Sequence, residues 1–132
     1  MENEILQPAD WARPRGYVNA IAGRGRMVFI SGQIGWDAQC RFTSNTLAGQ
    51  ALQIFRNIET LLTAAGAGPR HLVRLTWYVT DIQAYRDQAK EVGAAYREVF
   101  GKNFPTMALV QVVSLVEPDA LIEIEATALI PD

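Results

Sequence analysis

Apolar and polar positions alternate most cleanly over residues 72–80. Val73, Leu75, Trp77 and Val79 fall on one side there, and Arg74, Thr76, Tyr78 and Thr80 on the other. That period of two is the mark of a strand with one buried face. It returns over residues 121–129, where Ile122, Ile124, Ala126 and Ala128 oppose Glu123, Glu125 and Thr127. Over residues 47–65 the pattern changes. Ala51, Phe55, Ile58, Leu62 and Ala65 recur at steps of three and four, which predicts an amphipathic helix. Ser44, Asn45 or Thr46 can cap its start, and Gly66 suits its C-terminal stop. A second helix is predicted from Asp81 to about Phe100. Ile82, Tyr85, Val92, Tyr96 and Val99 form its buried face, and Gly93 is a weak point inside it.

Met27-Val28-Phe29-Ile30-Ser31-Gly32-Gln33-Ile34 is a continuous apolar run that breaks into Ser-Gly-Gln, the pattern of a buried central strand. Gly32 lets another backbone or a ligand come close. The segment therefore reads either as a strand relaxing into a bulge or as a site wall, with Ser31 and Gln33 on either side. Residues 17–22 make a first strand, joined to it in a hairpin by Gly23-Arg24-Gly25-Arg26. Residues 1–15, with Pro8 and Pro14, are irregular. Residues 35–46 are turn-rich, with room for a short strand at Arg41-Phe42. A further strand covers residues 106–112, and Glu117-Pro118-Asp119-Ala120 turns the chain into the last one. The result is one α+β domain over residues 1–132, two helices covering one face of a sheet. The other face mixes Arg74, Tyr78 and two glutamates with apolar residues, and no chain remains to cover it. That predicts a dimer or trimer.

Composition narrows the function classes. The 132 residues are 49% apolar and 20% charged, an ordinary globular balance. A net charge of −2 supplies no field for nucleic acid or anionic membrane, so neither is an expected partner. The single cysteine, Cys40, cannot close an internal disulfide and fits a reducing compartment. The acidic start lacks a signal-peptide core, and no run approaches about 18 apolar residues. A cytoplasmic location is expected.

Candidate chemistry is sparse. One histidine and one cysteine cannot build the usual nitrogen- or sulfur-rich metal site, and the carboxylates lack calcium-loop spacing, so no metal is expected. No Gly-x-Ser-x-Gly elbow presents a serine. His71 reads as a surface residue or the lead-in to a strand, and Cys40 as an ordinary thiol without an adjacent base. The Gly23-Arg26 run does not follow a strand and open a helix, which excludes a phosphate loop. With Arg13 and Arg15 it could still form a small basic patch for an anion. Glu123 and Glu125 share a strand face. They are either solvated there, or one is a general acid or base once a neighbouring subunit closes that face off.

Taken together, several segments resemble the Rid family (the RidA/YjgF proteins). Gly16-Tyr17-Val18-Asn19-Ala20-Ile21 is similar to the family's opening, and Val28-Phe29-Ile30-Ser31-Gly32-Gln33-Ile34 to its second strand. Gln50 through Ile58, Leu61-Leu62 and Ala65-Gly66 follow its first helix. Val73 through Asp81 resembles its central strand and helix cap, and Phe104-Pro105 with Ile122-Glu123-Ile124-Glu125-Ala126 its closing signature. The resemblance implies a chorismate-mutase-like α+β fold and a homotrimer with three clefts between subunits. In well-known members those clefts hydrolyse reactive enamines and imines without a cofactor. It also implies site positions at Tyr17, at Ser31-Gly32 and at Glu123. Glu123 would position or activate water, and Tyr17 would close the cleft and donate a hydrogen bond.

Two departures alter what the resemblance implies. Deaminase members carry Pro-Ala-Arg after the second helix, whose arginine clamps the substrate carboxylate; here the segment is Pro105-Thr106-Met107-Ala108. Methionine fills apolar space and cannot bind an anion. Gly93 stands where the family segment carries asparagine, with several extra residues before it. The expected protein is a trimer whose clefts bind a small metabolite, with backbone groups near Gly32 and Ala108 orienting it. It either hydrolyses an imine, enamine or related bond through Glu123, or binds its ligand without turnover. Standard 2-imino acid deamination through the usual clamp is not expected, nor is ribonuclease activity.

Overall fold

In the computed structural model, which describes residues 2–132, the elements follow one another as β1 (Glu4–Leu6), β2 (Ala20–Ala22), β3 (Gly25–Ile34), α1 (Leu47–Ala64), β4 (Leu72–Val79), α2 (Ile82–Asp87), α3 (Ala89–Phe100), β5 (Thr106–Gln111) and β6 (Ile122–Pro131). The main sheet has the order β3-β6-β4-β5. β4 and β5 run parallel, while β6 is antiparallel to both β3 and β4. The parallel pair requires a crossover, and α2 and α3 supply it. The result is an α+β fold with a mixed sheet and its helices on one face.

The long helix forms where the spacing places it. Thr46 accepts the Gly49 N–H through its hydroxyl, and Ala51, Ile54, Phe55, Ile58 and Leu62 are all fully buried. The helix stops because Gly66 takes φ +75°, a conformation that glycine adopts at little cost. The Arg26 guanidinium on β3 donates to the Ala65 carbonyl at that end. Phe55 lies at the centre of the core, its ring 5.6 Å from Trp77, 5.4 Å from Tyr96 and 5.3 Å from Phe100. Burying a ring of this size stabilises by roughly 1.5–3 kcal/mol, and this cluster locks α1, α3 and β4 together.

Four expectations need correction. Residues 1–15 are not wholly irregular, since Glu4–Leu6 pairs antiparallel with Ala20–Ala22. The hairpin across Gly23-Arg26 is absent for the same reason. β2 takes β1 as its partner, while β3 takes β6 from Gly25 opposite Pro131 onward. β3 is also an edge strand of the main sheet rather than a central one. Its apolar run reflects an apolar outer face, with Met27 53% and Phe29 75% exposed. Finally, the single second helix is two. The break falls at Gln88, whose side-chain oxygen accepts the Ala48 N–H at the start of α1. A long-range hydrogen bond to another helix thus takes Gln88 out of regular helical geometry, at φ −106° and ψ 11°. The bridge between Trp36 and Phe42 matches the short extra strand anticipated near Arg41.

Candidate functional site

Tyr17 reaches its place through backbone. The Val18 N–H donates to the Pro105 carbonyl at 3.1 Å, which ties the N-terminal segment to the start of β5. Tyr17 then overhangs a cavity of about 420 Å³ between that segment, β5 and the α2–α3 pair. Gly93, Met107 and Ala108 line the same cavity, so four of the predicted positions converge. Met107 is half-buried and packs on the core. Aromatic residues form much of the remaining wall, with Trp77 and Tyr85 edge-to-face at 6.3 Å and Tyr96 stacked on Phe104 at 5.2 Å. Burial pushes the phenol pKa of both Tyr85 and Tyr96 up, so both stay protonated. Tyr96 spends its hydroxyl on the Asn103 carbonyl.

The other predicted positions lie elsewhere on the sheet. The β3–β6 ladder slips between Ile30 and Gln33, so the bulge reading of Ser31-Gly32 holds. At that bulge Gly32 faces Glu123. A Cβ built on Gly32 would lie 2.7 Å from the Glu123 carboxyl carbon, so only glycine leaves space for that carboxylate. Glu123 sits opposite Tyr78 on β4, and Glu125 opposite Thr76. The Tyr78 hydroxyl donates to Glu125 Oε1 at 2.9 Å. That hydrogen bond, then desolvation and the two glutamate charges, hold the Tyr78 pKa above its usual value. Ser31 lines a neighbouring hollow with Arg74, Thr76 and Glu125. Glu123 does not line the cavity under Tyr17. Within one chain the predicted residues therefore form two groups, Tyr17, Gly93, Met107 and Ala108 at the cavity and Ser31, Gly32 and Glu123 on the β3–β6 side of the sheet.

The remaining candidates separate further. Arg24 pairs with Asp132, Arg26 caps α1, and Arg13 and Arg15 line different hollows, so the proposed basic patch is not assembled. Arg74 lies on the open sheet face, outside the cavity under Tyr17 but lining a second hollow that also includes Tyr17, Met107 and Ala108. Cys40 is exposed in a turn held by the Asp37 carboxylate, which accepts the Gln39 and Arg41 N–H groups. His71 leads into β4 as anticipated but is buried rather than on the surface, and its Nδ1 accepts the Gly68 N–H. Among the described residues no three His, Cys, Asp or Glu side chains cluster as a metal site, and no helix is long and apolar enough to cross a membrane.

The sequence profile of the family described as Endoribonuclease L-PSP matches residues 10–130. The chain belongs to that family, the Rid (YjgF) proteins. One Rid relative is the 2-iminobutanoate/2-iminopropanoate deaminase of Homo sapiens, 35% identical over 105 residues, covering 79% of this chain and 73% of that one. The RutC family protein UK114 of Drosophila melanogaster is 30% identical over 127 residues, 96% of this chain and 88% of the relative. The crystal structure of YyfB from Yersinia pestis, a Rid protein of unknown function, superposes with a TM-score of 0.82 at 30% identity. It covers 98% of this chain and 100% of that one.

The reading of this Rid chain from sequence missed most of the cavity wall, including Arg97, Phe104, Trp77, Tyr85 and Tyr96. A signal for Arg97 was present, because it follows Gly93 by four residues and so lies one helical turn further along the same face. Trp77 and Tyr96 read only as core positions, since periodicity does not reveal that a cavity opens beside them.

Proposed function

We propose that the protein is a homotrimeric Rid-type hydrolase acting at the C=N bond of a small imine, or of an enamine after tautomerisation. Its site is completed between copies. One copy supplies the Tyr17–Met107 cavity and the next supplies Glu123. The observation that carries this reading is the separation itself. Glu123 is held in a fitted gap over Gly32, yet stands apart from the cavity gathering Tyr17, Gly93, Met107 and Ala108. A second copy set against the open sheet face would bring the two groups together. That face offers Phe29 at 75%, Met27 at 53% and Val110 at 46% exposure, an apolar surface suited to burial by another copy.

The chemistry needs no redox step or bound cofactor. The Glu123 carboxylate takes a proton from water as its oxygen bonds to the imine carbon, and the C=N π pair moves onto nitrogen. The carboxylic acid so formed returns that proton to nitrogen, giving the neutral carbinolamine. On collapse Glu123 takes the hydroxyl proton and passes it to the same nitrogen, the carbonyl forms, and the C–N bond breaks to release ammonia. Tyr17 donates to the substrate, and backbone groups near Gly32 and Ala108 orient it. Met107, at the position of the family's carboxylate-binding arginine, makes small 2-imino acids poor substrates for this cleft.

An alternative is ligand binding without turnover, favoured by the aromatic wall and by Met107 in place of a charged clamp. Glu123→Gln separates the readings when carbonyl product is followed from imines generated in situ. The hydrolase reading requires at least about a hundredfold fall in kcat with the trimer intact by light scattering. Full activity in that variant rejects the role of Glu123, and saturable binding without product in wild type selects the alternative.

A further inference from the structure

We infer that the cavity under Tyr17 takes a carboxylate with an aromatic or similarly bulky apolar body, and that Arg97, assisted by Arg15, replaces the missing arginine as the anion clamp. The inference rests on the reading above only in placing substrate in this cavity.

Two observations meet there. The first is charge. Both Arg15 and Arg97 line the cavity, and no acidic side chain does. Neither arginine takes part in the ion pairs of the described residues, which are Arg24–Asp132, Arg41–Asp37 and Arg56–Glu98. Two cations beside an apolar cavity without a counter-charge favour an anionic occupant, and a guanidinium can grip a carboxylate with two parallel hydrogen bonds.

The second is space. Gly93 stands one turn before Arg97 on α3, and the nearest side-chain atom that a Cβ there would meet is Arg97 Nη1, at 3.4 Å. The absent side chain leaves room at the cavity edge and lets the guanidinium fold over it. The clamp thus enters from α3, on the opposite wall from Met107 on β5. A ligand held from α3 lays its body against the aromatic wall of Trp77, Tyr85 and Phe104.

Stable 2-oxo acids test this by calorimetric titration of the whole protein, without any need for turnover. Phenylpyruvate carries both body and carboxylate, pyruvate lacks the body, and phenylacetone lacks the carboxylate. Phenylpyruvate is expected to bind at least about tenfold more tightly than either. Arg97→Gln should weaken phenylpyruvate by about 10- to 100-fold and leave phenylacetone unchanged, erasing the carboxylate preference. Equal affinity for pyruvate and phenylpyruvate overturns the inference, as does an Arg97→Gln variant that keeps its carboxylate preference. Phenylpyruvate binding without imine hydrolysis would sink the hydrolase reading alone.

Discussion

Gln50 is the buried polar residue that connects α1 to the strand carrying Glu123. It is 1% exposed, and its amide nitrogen donates to the Ser44 carbonyl at 3.1 Å and the Asp119 carbonyl at 3.0 Å. Its oxygen accepts the Leu121 N–H at 2.8 Å. Replacing it with leucine, of similar volume, leaves three backbone groups at this junction without their partner. Each lost bond costs about 0.5–1.5 kcal/mol, or more where the remaining group stays dry. Removing a buried amide returns part of that, so the net loss is about 2–4 kcal/mol. For a chain of this size that corresponds to roughly 6–16 °C in melting temperature. Thermal melts at fixed protein concentration measure it, with Gln39→Leu on the exposed turn as the control. Hydrogen exchange at the Leu121 amide should accelerate as well. A Gln50→Leu protein melting within about 1 °C of wild type, with Leu121 still protected, would refute the argument that these bonds hold the turn before β6.

Two further outcomes follow from single residues. Gly32→Ala places a methyl group 2.7 Å from the Glu123 carboxyl carbon, so the carboxylate must swing away. Imine hydrolysis should fall about 10- to 100-fold with little change in melting temperature, and an unchanged kcat would show that this placement does not matter. For His71, desolvation and then the Arg70 charge lower the pKa below the usual 6.5, with Glu2 acting weakly the other way. Above about pH 6.5 both folded and unfolded forms are neutral, and this contribution to stability is fully present. As pH falls further the unfolded chain binds the proton first, so stability is lost down to the folded pKa. Urea melts at pH 7.5 and 5.5 should show a larger drop for wild type than for His71→Gln, and equal drops would contradict the sign.

What could be read from the sequence was set by local periodicity. α1, β4 and β6 follow from their own apolar spacing, and the Ser31-Gly32 bulge from one glycine in a strand. The misses all depend on a distant partner. Glu4–Leu6 is a strand only because residues 20–22 lie beside it, and Gln88, a good helix former, breaks its helix to reach Ala48. The Gly-Arg-Gly-Arg run carries a turn signal, but not the fact that β6 claims the strand after it. At the site, Tyr17, Gly93 and Met107 came from a resemblance, and their convergence on one cavity required the fold. The clamp on α3 was hidden because an arginine on a helix surface reads as solvated until the cavity beside it is seen.

The claim that one copy supplies the cavity and another supplies Glu123 is tested most directly by mixing two inactive variants. Glu123→Gln leaves the cavity intact, and Gly93→Trp fills the cavity while leaving Glu123 in place. Imine hydrolysis is then followed in each homotrimer and in trimers reassembled from an equal mixture. If sites form between copies, random assembly joins an intact cavity to an intact glutamate at about a quarter of the interfaces. The mixture should then regain about a quarter of wild-type activity. Mixed trimers, verified by mass, that remain as inactive as their parents would contradict the shared site.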